Sequence, residues 1–121
     1  MTGVLLLAHG SREGDTEKTM QTITQYVKEE LNNDMIEEAY LQFRDKNLEH
    51  GLKSLIARGA DTIAIIPYFL FEGVHIKEDI PNEIKEFMKD YPDVTITFGS
   101  TLGADRRLAM IVADRVKEIV K

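Results

Sequence analysis

The sequence predicts an α/β protein of three layers, with helices on both faces of a four-stranded parallel sheet in the order 2-1-3-4. Short apolar runs alternate four times with amphipathic stretches of helical period, the signature of repeated β-α units. Two of the runs, residues 3–8 and the Ile63 to Ile66 part of residues 62–66, are the most uniformly apolar, as expected of strands covered on both faces. Crossovers between parallel strands are right-handed, so the two most apolar runs form the central pair and the order switches between strands 1 and 3.

Taken in order, Val4 to Ala8 is the core of the first strand. Asp15 or Thr16 can cap a helix running to about Asn32, with Met20, Ile23, Val27 and Leu31 on one face. Residues 36–43 form a second, less uniformly apolar strand. The next helix runs from about Asn47 to Arg58 with Leu48, Leu52, Leu55 and Ile56, and Gly59 stops it. The third strand, residues 62–66, is rich in β-branched side chains. Asp79 or Ile80 opens the third helix, which tolerates Pro81 in its first turn and carries Ile84, Phe87 and Met88. Residues 94–98 are the fourth strand. The last helix runs from Asp105 to Lys121, with Leu108, Ile111, Val112, Val116 and Ile119.

A length of 121 residues sets one domain, either a complete small protein or half of a larger two-lobed one. Apolar content of 43% and charged content of 30% belong to an ordinary water-soluble chain. The absence of cysteine excludes disulfides, thiolate ligands and cysteine nucleophiles. No apolar stretch approaches the roughly 20 residues that span a bilayer, and the start lacks the pattern of a signal peptide, so a cytoplasmic location is expected. A net charge of −6 excludes nonspecific nucleic-acid binding, which needs a basic face. Arg12, Arg44, Lys77, Arg106 and Arg107 nevertheless fall near strand ends, where they suit an anionic small molecule.

Two histidines stand out. His9 closes the first strand, and His75 follows the third by a short loop. The carboxyl ends of neighbouring parallel strands share one crevice, so these imidazoles can meet there. A neutral imidazole can ligate a metal and accept a proton. Gly10 lets the chain turn away and leaves His9 unshielded. The second loop adds Tyr68, Phe69, Leu70 and Phe71, an aromatic wall suited to a flat apolar ligand, and Asp79 could orient His75 from the first helical turn. Two histidines are too few for a closed structural metal site, so an open, transient one fits better. The loop from Gly99 to Arg107 offers Ser100, Thr101 and free backbone amides at a helix start. His50, within a helix, has no such setting.

Leu5-Leu6-Leu7-Ala8-His9-Gly10-Ser11-Arg12 and the stretch from Ile66 to Pro81 resemble the two signature segments of the small CbiX-type chelatases, and Leu102-Gly103 resembles a third. The resemblance runs end to end. It implies a chelatase-like fold, half of a flavodoxin-like two-lobed protein. It also implies insertion of a divalent metal, Co2+ foremost with Ni2+ or Fe2+ as alternatives, into sirohydrochlorin, without ATP or an organic cofactor. By the resemblance, His9 and His75 handle the metal and take up protons. Ser11, Arg12, Gln42, Arg44, Tyr68, Phe69, Phe71, Gly73, Lys77, Thr101 and Leu102 are the expected contacts of such a tetrapyrrole, with Arg106 a further candidate for its carboxylates. Many relatives place a glutamate where this chain has Gln42, which can be neither base nor charged ligand. One lobe per chain implies a homodimer with the cleft between subunits.

Two other readings use the same residues. A flavodoxin-like module would bind a phosphate-bearing cofactor through Gly10, Ser11, Gly14 and Thr16, leaving His75 and the aromatic loop without a role. A metal or tetrapyrrole carrier without turnover would share every feature. A histidine phosphotransferase is disfavoured because Ala8 stands where such enzymes place an arginine.

Overall fold

Strands β1 (Thr2–Ala8), β2 (Ile36–Tyr40), β3 (Thr62–Pro67) and β4 (Thr95–Phe98) alternate with helices α1 (Asp15–Leu31), α2 (Leu48–Ala57), α3 (Ile80–Met88) and α4 (Arg106–Ile119) in the computed structural model of the chain. The structure describes residues 1–12, 14–42, 45–71, 73 and 78–120. All pairings are parallel, and the order is β2-β1-β3-β4, as the sequence predicts. Val4 aligns with Ile36 and with Ala64, and Leu5 with Glu37 and with Ile65. Odd- and even-numbered residues of β1 therefore feed opposite faces, each continuous across the sheet.

Leu5, Leu7, Ala39, Ile63 and Ile65 form one face, under Leu48, Leu52 and Leu55 of α2 and Ile80 and Ile84 of α3. Val4, Leu6, Ala8, Ile36 and Tyr40 form the other, under Met20 of α1 with Ile23 and Val27 at its margin. Each fully buried aliphatic side chain is worth roughly 1.5–3 kcal/mol, so β1, buried on both sides, is the strand the domain is built around. At Gly51 α2 comes down onto the sheet: a Cβ there would lie 2.7 Å from Leu5 Cδ1 and 3.1 Å from the Ala39 methyl.

Several boundaries differ from expectation. β2 ends at Tyr40, not residue 43, because the Tyr40 amide donates to the Lys46 carbonyl as the chain folds back; Phe43 lies outside the described residues. α1 is capped by Gly14 without a side-chain bond, not by Asp15 or Thr16. Asp15 and Glu17 instead occupy its first turn, where the helix dipole favours negative charge. Leu31 is exposed at the helix end, and Thr24 takes the buried position expected of an apolar residue. α2 is as expected: the Asn47 side chain accepts from the His50 amide at 2.9 Å, and Gly59 follows the helix with φ +103°. Asp79 precedes α3 without a side-chain cap bond, whereas Asp105 caps α4 by accepting from the Arg107 amide. The apolar stripe of α4 is not buried, contrary to the expectation for a helix covering the sheet.

The edge strand β2 carries a half-buried charged cluster that ties sheet to helix. Glu37 accepts from Ser54 Oγ at 2.7 Å and from Arg58 at 3.1 Å, and Lys46 Nζ lies 3.2 Å away. Burial pushes the Glu37 carboxyl up, but the bonds from Ser54, Arg58 and Lys46 outweigh it and hold the group below its ordinary value of 4.5. A carboxylate lowered on folding stabilises fully above its unfolded value, and the contribution is lost as pH falls through the folded one. Glu37→Gln should therefore cost on the order of 1 kcal/mol at neutral pH, a difference that shrinks as unfolding is measured below pH 4.5. Thr24 Oγ1 is buried with no hydrogen-bond partner. Thr24→Val, which removes that hydroxyl, should raise stability by about 1 kcal/mol in urea unfolding.

Candidate functional site

The carboxyl edge is assembled by backbone hydrogen bonds between the segments that leave each strand. The Tyr68 amide donates to the Leu7 carbonyl at 2.7 Å, Leu41 to Ala8 at 2.9 Å and Gln42 to His9 at 2.9 Å. Gly99 donates to Ile65 at 2.8 Å and Leu102 to Phe69 at 2.9 Å. Four segments distant in sequence thus form one rim, and His9 lies at its centre because β1 pairs on both sides. The side chain of His9 is exposed, while its ring rests on that of Phe69, centroids 4.2 Å apart and planes 35° from parallel.

Phe69 corrects an expectation. It is 8% exposed and belongs to the core rather than to a wall facing a ligand. The two-residue period of β3 explains this: Ile63, Ile65 and Pro67 are buried on one face, and Phe69 continues the series past the strand end. Its ring packs against the His9 imidazole. Of the run from Tyr68 to Phe71, it is Phe71, 82% exposed, and Leu70, 49% exposed, that present apolar surface to solvent. They line a recess of about 600 Å³ with the root of α4, including Asp105, Arg106 and Leu108.

Beside His9 lies a second recess of about 410 Å³, formed by Ala8, Gly10, Asp15, Thr16, Thr19, Met20 and Tyr68. Thr19 and Met20 were not anticipated here; the helical spacing of Asp15, Thr16 and Thr19 puts them on the side of α1 that meets the rim. Ser11 and Thr16 share a hydrogen bond of 2.7 Å, which draws the loop onto the first turn of α1. A phosphate is poorly served in this recess, since Asp15 lines it and Asp15 and Glu17 fill the first turn of α1. The same carboxylate favours a cation.

Of the residues singled out in the sequence, the structure gathers His9, Ser11, Gln42, Tyr68, Phe69 and Leu102 along the rim, with Thr101 half-buried beside Leu102. Arg12, Gln42 and Gly73 are exposed, as is Arg106 at the start of α4. His75, Arg44 and Lys77 lie outside the described residues, and with His75 the proposed partner of Asp79. Among the described residues no three histidine or carboxylate side chains gather to hold an ion, and no helix is long and apolar enough to cross a membrane. A further groove of about 390 Å³ separates α2 from α3, where Phe87 and Tyr91 stack at 4.6 Å and burial holds the Glu83 carboxyl above its ordinary value. None of the rim residues lines it.

Comparison with known proteins matches residues 3–119 to the family described as CbiX. A sirohydrochlorin cobaltochelatase from Methanopyrus kandleri is 30% identical, the match covering 98% of this chain and 96% of that protein. A sirohydrochlorin ferrochelatase from Priestia megaterium is 32% identical over 98% of this chain but only 44% of its own length. The chain thus spans nearly the whole of one relative and less than half of the other. Among solved structures, the sirohydrochlorin chelatase SirB from Bacillus subtilis subspecies spizizenii in complex with cobalt superposes with a TM-score of 0.89 at 28% identity, covering 98% of this chain and 50% of that one.

The rim depends on Gly10, whose φ is +84°, a region that side chains rarely adopt. A Cβ there would fall 2.2 Å from the Gln42 carbonyl oxygen. Gly10→Ala should therefore destabilise the domain by about 2 kcal/mol or more in urea unfolding, through the forced φ and the broken contact between the two loops. Gly14→Ala, at φ −73° with no atom within 4 Å of the new methyl, should cost under about 1 kcal/mol.

Proposed function

The chain belongs to the CbiX family, and from that premise we propose that it inserts a divalent metal ion into sirohydrochlorin, with Co2+ as the preferred ion. One observation carries the reading to this site: His9 stands exposed at the end of the central strand, braced by a buried phenylalanine and bordered by an open recess. Relatives named for cobalt and for iron both match this chain, and imidazole ligation suits cobalt, nickel and iron alike.

Insertion exchanges one divalent ion for the two protons of the pyrrole N–H groups. His9, with its lone pair available, receives the hydrated ion, and Asp15 across the recess raises the local concentration of cations. His75, on the loop after β3, is the second ligand and proton acceptor in this reading, with Asp79 orienting it. As the macrocycle displaces imidazole and water from the metal, the same imidazoles take up the departing protons. Phe71, Tyr68 and Leu102 offer apolar surface to the ring, and Arg12, Arg44, Lys77 and Arg106, each from a different segment after a strand, meet its peripheral carboxylates. Gln42, carrying no charge, contributes hydrogen bonds only. The reaction needs neither ATP nor an organic cofactor and takes place in the cytoplasm, with a second copy closing the cleft.

The test is an anaerobic spectroscopic assay of sirohydrochlorin with Co2+, Ni2+ and Fe2+ in turn. The expected result is insertion faster than the uncatalysed blank, fastest with Co2+. His9→Ala should lower kcat/KM by about 100-fold or more without loss of fold. Binding of the tetrapyrrole with no acceleration for any of the three metals would leave a carrier and defeat the enzyme reading.

A further inference from the structure

A histidine that takes up a metal and then gives it away needs a fixed ring with open nitrogens. Both nitrogens lie in the plane of the ring, and two side-chain torsions decide where that plane points. The common way to fix such a ring is a hydrogen bond from its second nitrogen to a carboxylate or carbonyl. That bond occupies one nitrogen and settles the tautomer. His9 is held differently. Among the described residues no hydrogen bond reaches its imidazole, and the contact that restrains the ring is the one with Phe69. The centroid separation of 4.2 Å is shorter than the roughly 4.5–7 Å usual for aromatic pairs, so the rings meet over their faces. Such a contact leaves the imidazole edge, where both nitrogens sit.

Phe69 is suited to this because it is itself immobile. It is 8% exposed within the core cluster of the α2 and α3 face. The amide before it, that of Tyr68, donates to the Leu7 carbonyl at 2.7 Å, and its own carbonyl accepts from Leu102 at 2.9 Å. The recess beside His9 is lined by Asp15, Thr16 and Thr19 but not by Phe69, so an ion there meets the phenylalanine only through His9.

We propose that Phe69 is a positioning residue for metal transfer, its ring holding the His9 imidazole in one pose in place of a hydrogen-bonded orienter. The role rests on the reading of His9 as a metal ligand. It explains how one imidazole can serve in two capacities: a ring gripped by its face keeps the same pose whichever nitrogen carries the proton. It can therefore release the ion and accept a proton without losing its support. A ring oriented through one nitrogen has to break that bond to do the same.

Phe69→Leu and Phe69→Met keep an apolar side chain in the core but remove the aromatic face, whereas Phe69→Tyr keeps it. In the metal-free full chain, the His9 ring protons, assigned by their loss in His9→Ala, should resonate upfield of those of the exposed His50. They should return towards the His50 positions in the Leu and Met variants and stay upfield in the Tyr variant. Co2+ alone, titrated by calorimetry, should bind about 3- to 10-fold more weakly in the Leu and Met variants, because the freed imidazole must then be ordered on binding. The Tyr variant should bind as the parent does. His9 protons at ordinary positions in the parent itself, unchanged Co2+ affinity in the Leu and Met variants, or a Tyr variant as weak as these would each overturn the role. Unchanged Co2+ affinity in His9→Ala would instead remove the ligand reading beneath it, a result distinct from weakening there and none in the phenylalanine variants.

Discussion

Where a parallel strand ends, its last carbonyls and the amides of the departing loops must still find partners, and in this domain they find one another. Leu7, Ala8 and His9 each lend a carbonyl to a loop leaving a neighbouring strand. The main chain of His9 is therefore tied while its side chain stays exposed on the Phe69 ring, the combination a site needs from a rigid scaffold. This is possible only because β1 has a neighbour on each side, which follows from its being apolar on both faces. The residues that bury β1 and the residue that ends it are thus parts of a single arrangement. Gly10 belongs to it too, since it is the turn at that position that brings the loop against Gln42.

Uniform apolar runs were readable as β1 and β3, and strand order followed from which runs were apolar on both sides. α2 was readable at both ends because Asn47 and Gly59 are strong local signals. Phe69 was less accessible. Among four consecutive large apolar residues it looks like part of a ligand-facing wall, and only the continued alternation from Ile63 shows that it turns inward. On α1 the buried side carries Thr24, where an apolar residue was expected, while Leu31, two turns on and on the same side, is exposed in the last turn. For α4 the sequence states that one face needs covering but contains nothing that says by what. His9 was legible as a site residue because a histidine directly after a buried strand has few other places to go.

Charge is distributed in a way that suits two substrates of opposite sign. The chain is acidic overall, and Asp15 brings that character into the recess beside His9. Arg106 instead lines the separate recess that carries the exposed Leu70 and Phe71, and Arg12 is exposed on the loop after His9. A small dication and a flat polyanion would thus meet different parts of the rim, the ion close to the imidazole and the macrocycle on the apolar and cationic outer surface. A phosphate-binding module needs the reverse: an uncharged or basic first turn at α1 and no call for exposed aromatics.

The open helix and the open rim are joined through one segment. The loop that leads into α4 donates its Leu102 amide to the carbonyl of Phe69, and the Phe69 ring is what the His9 imidazole rests upon. Whatever holds α4 therefore also steadies the loop that fixes Phe69, and through it the orientation of His9. Leu70 and Phe71 follow Phe69 directly and share a recess with the first turn of α4, so the apolar surface offered to a ligand is bounded by the same helix. The last helix and the proposed chemistry are linked through Phe69, a residue that is itself almost wholly buried.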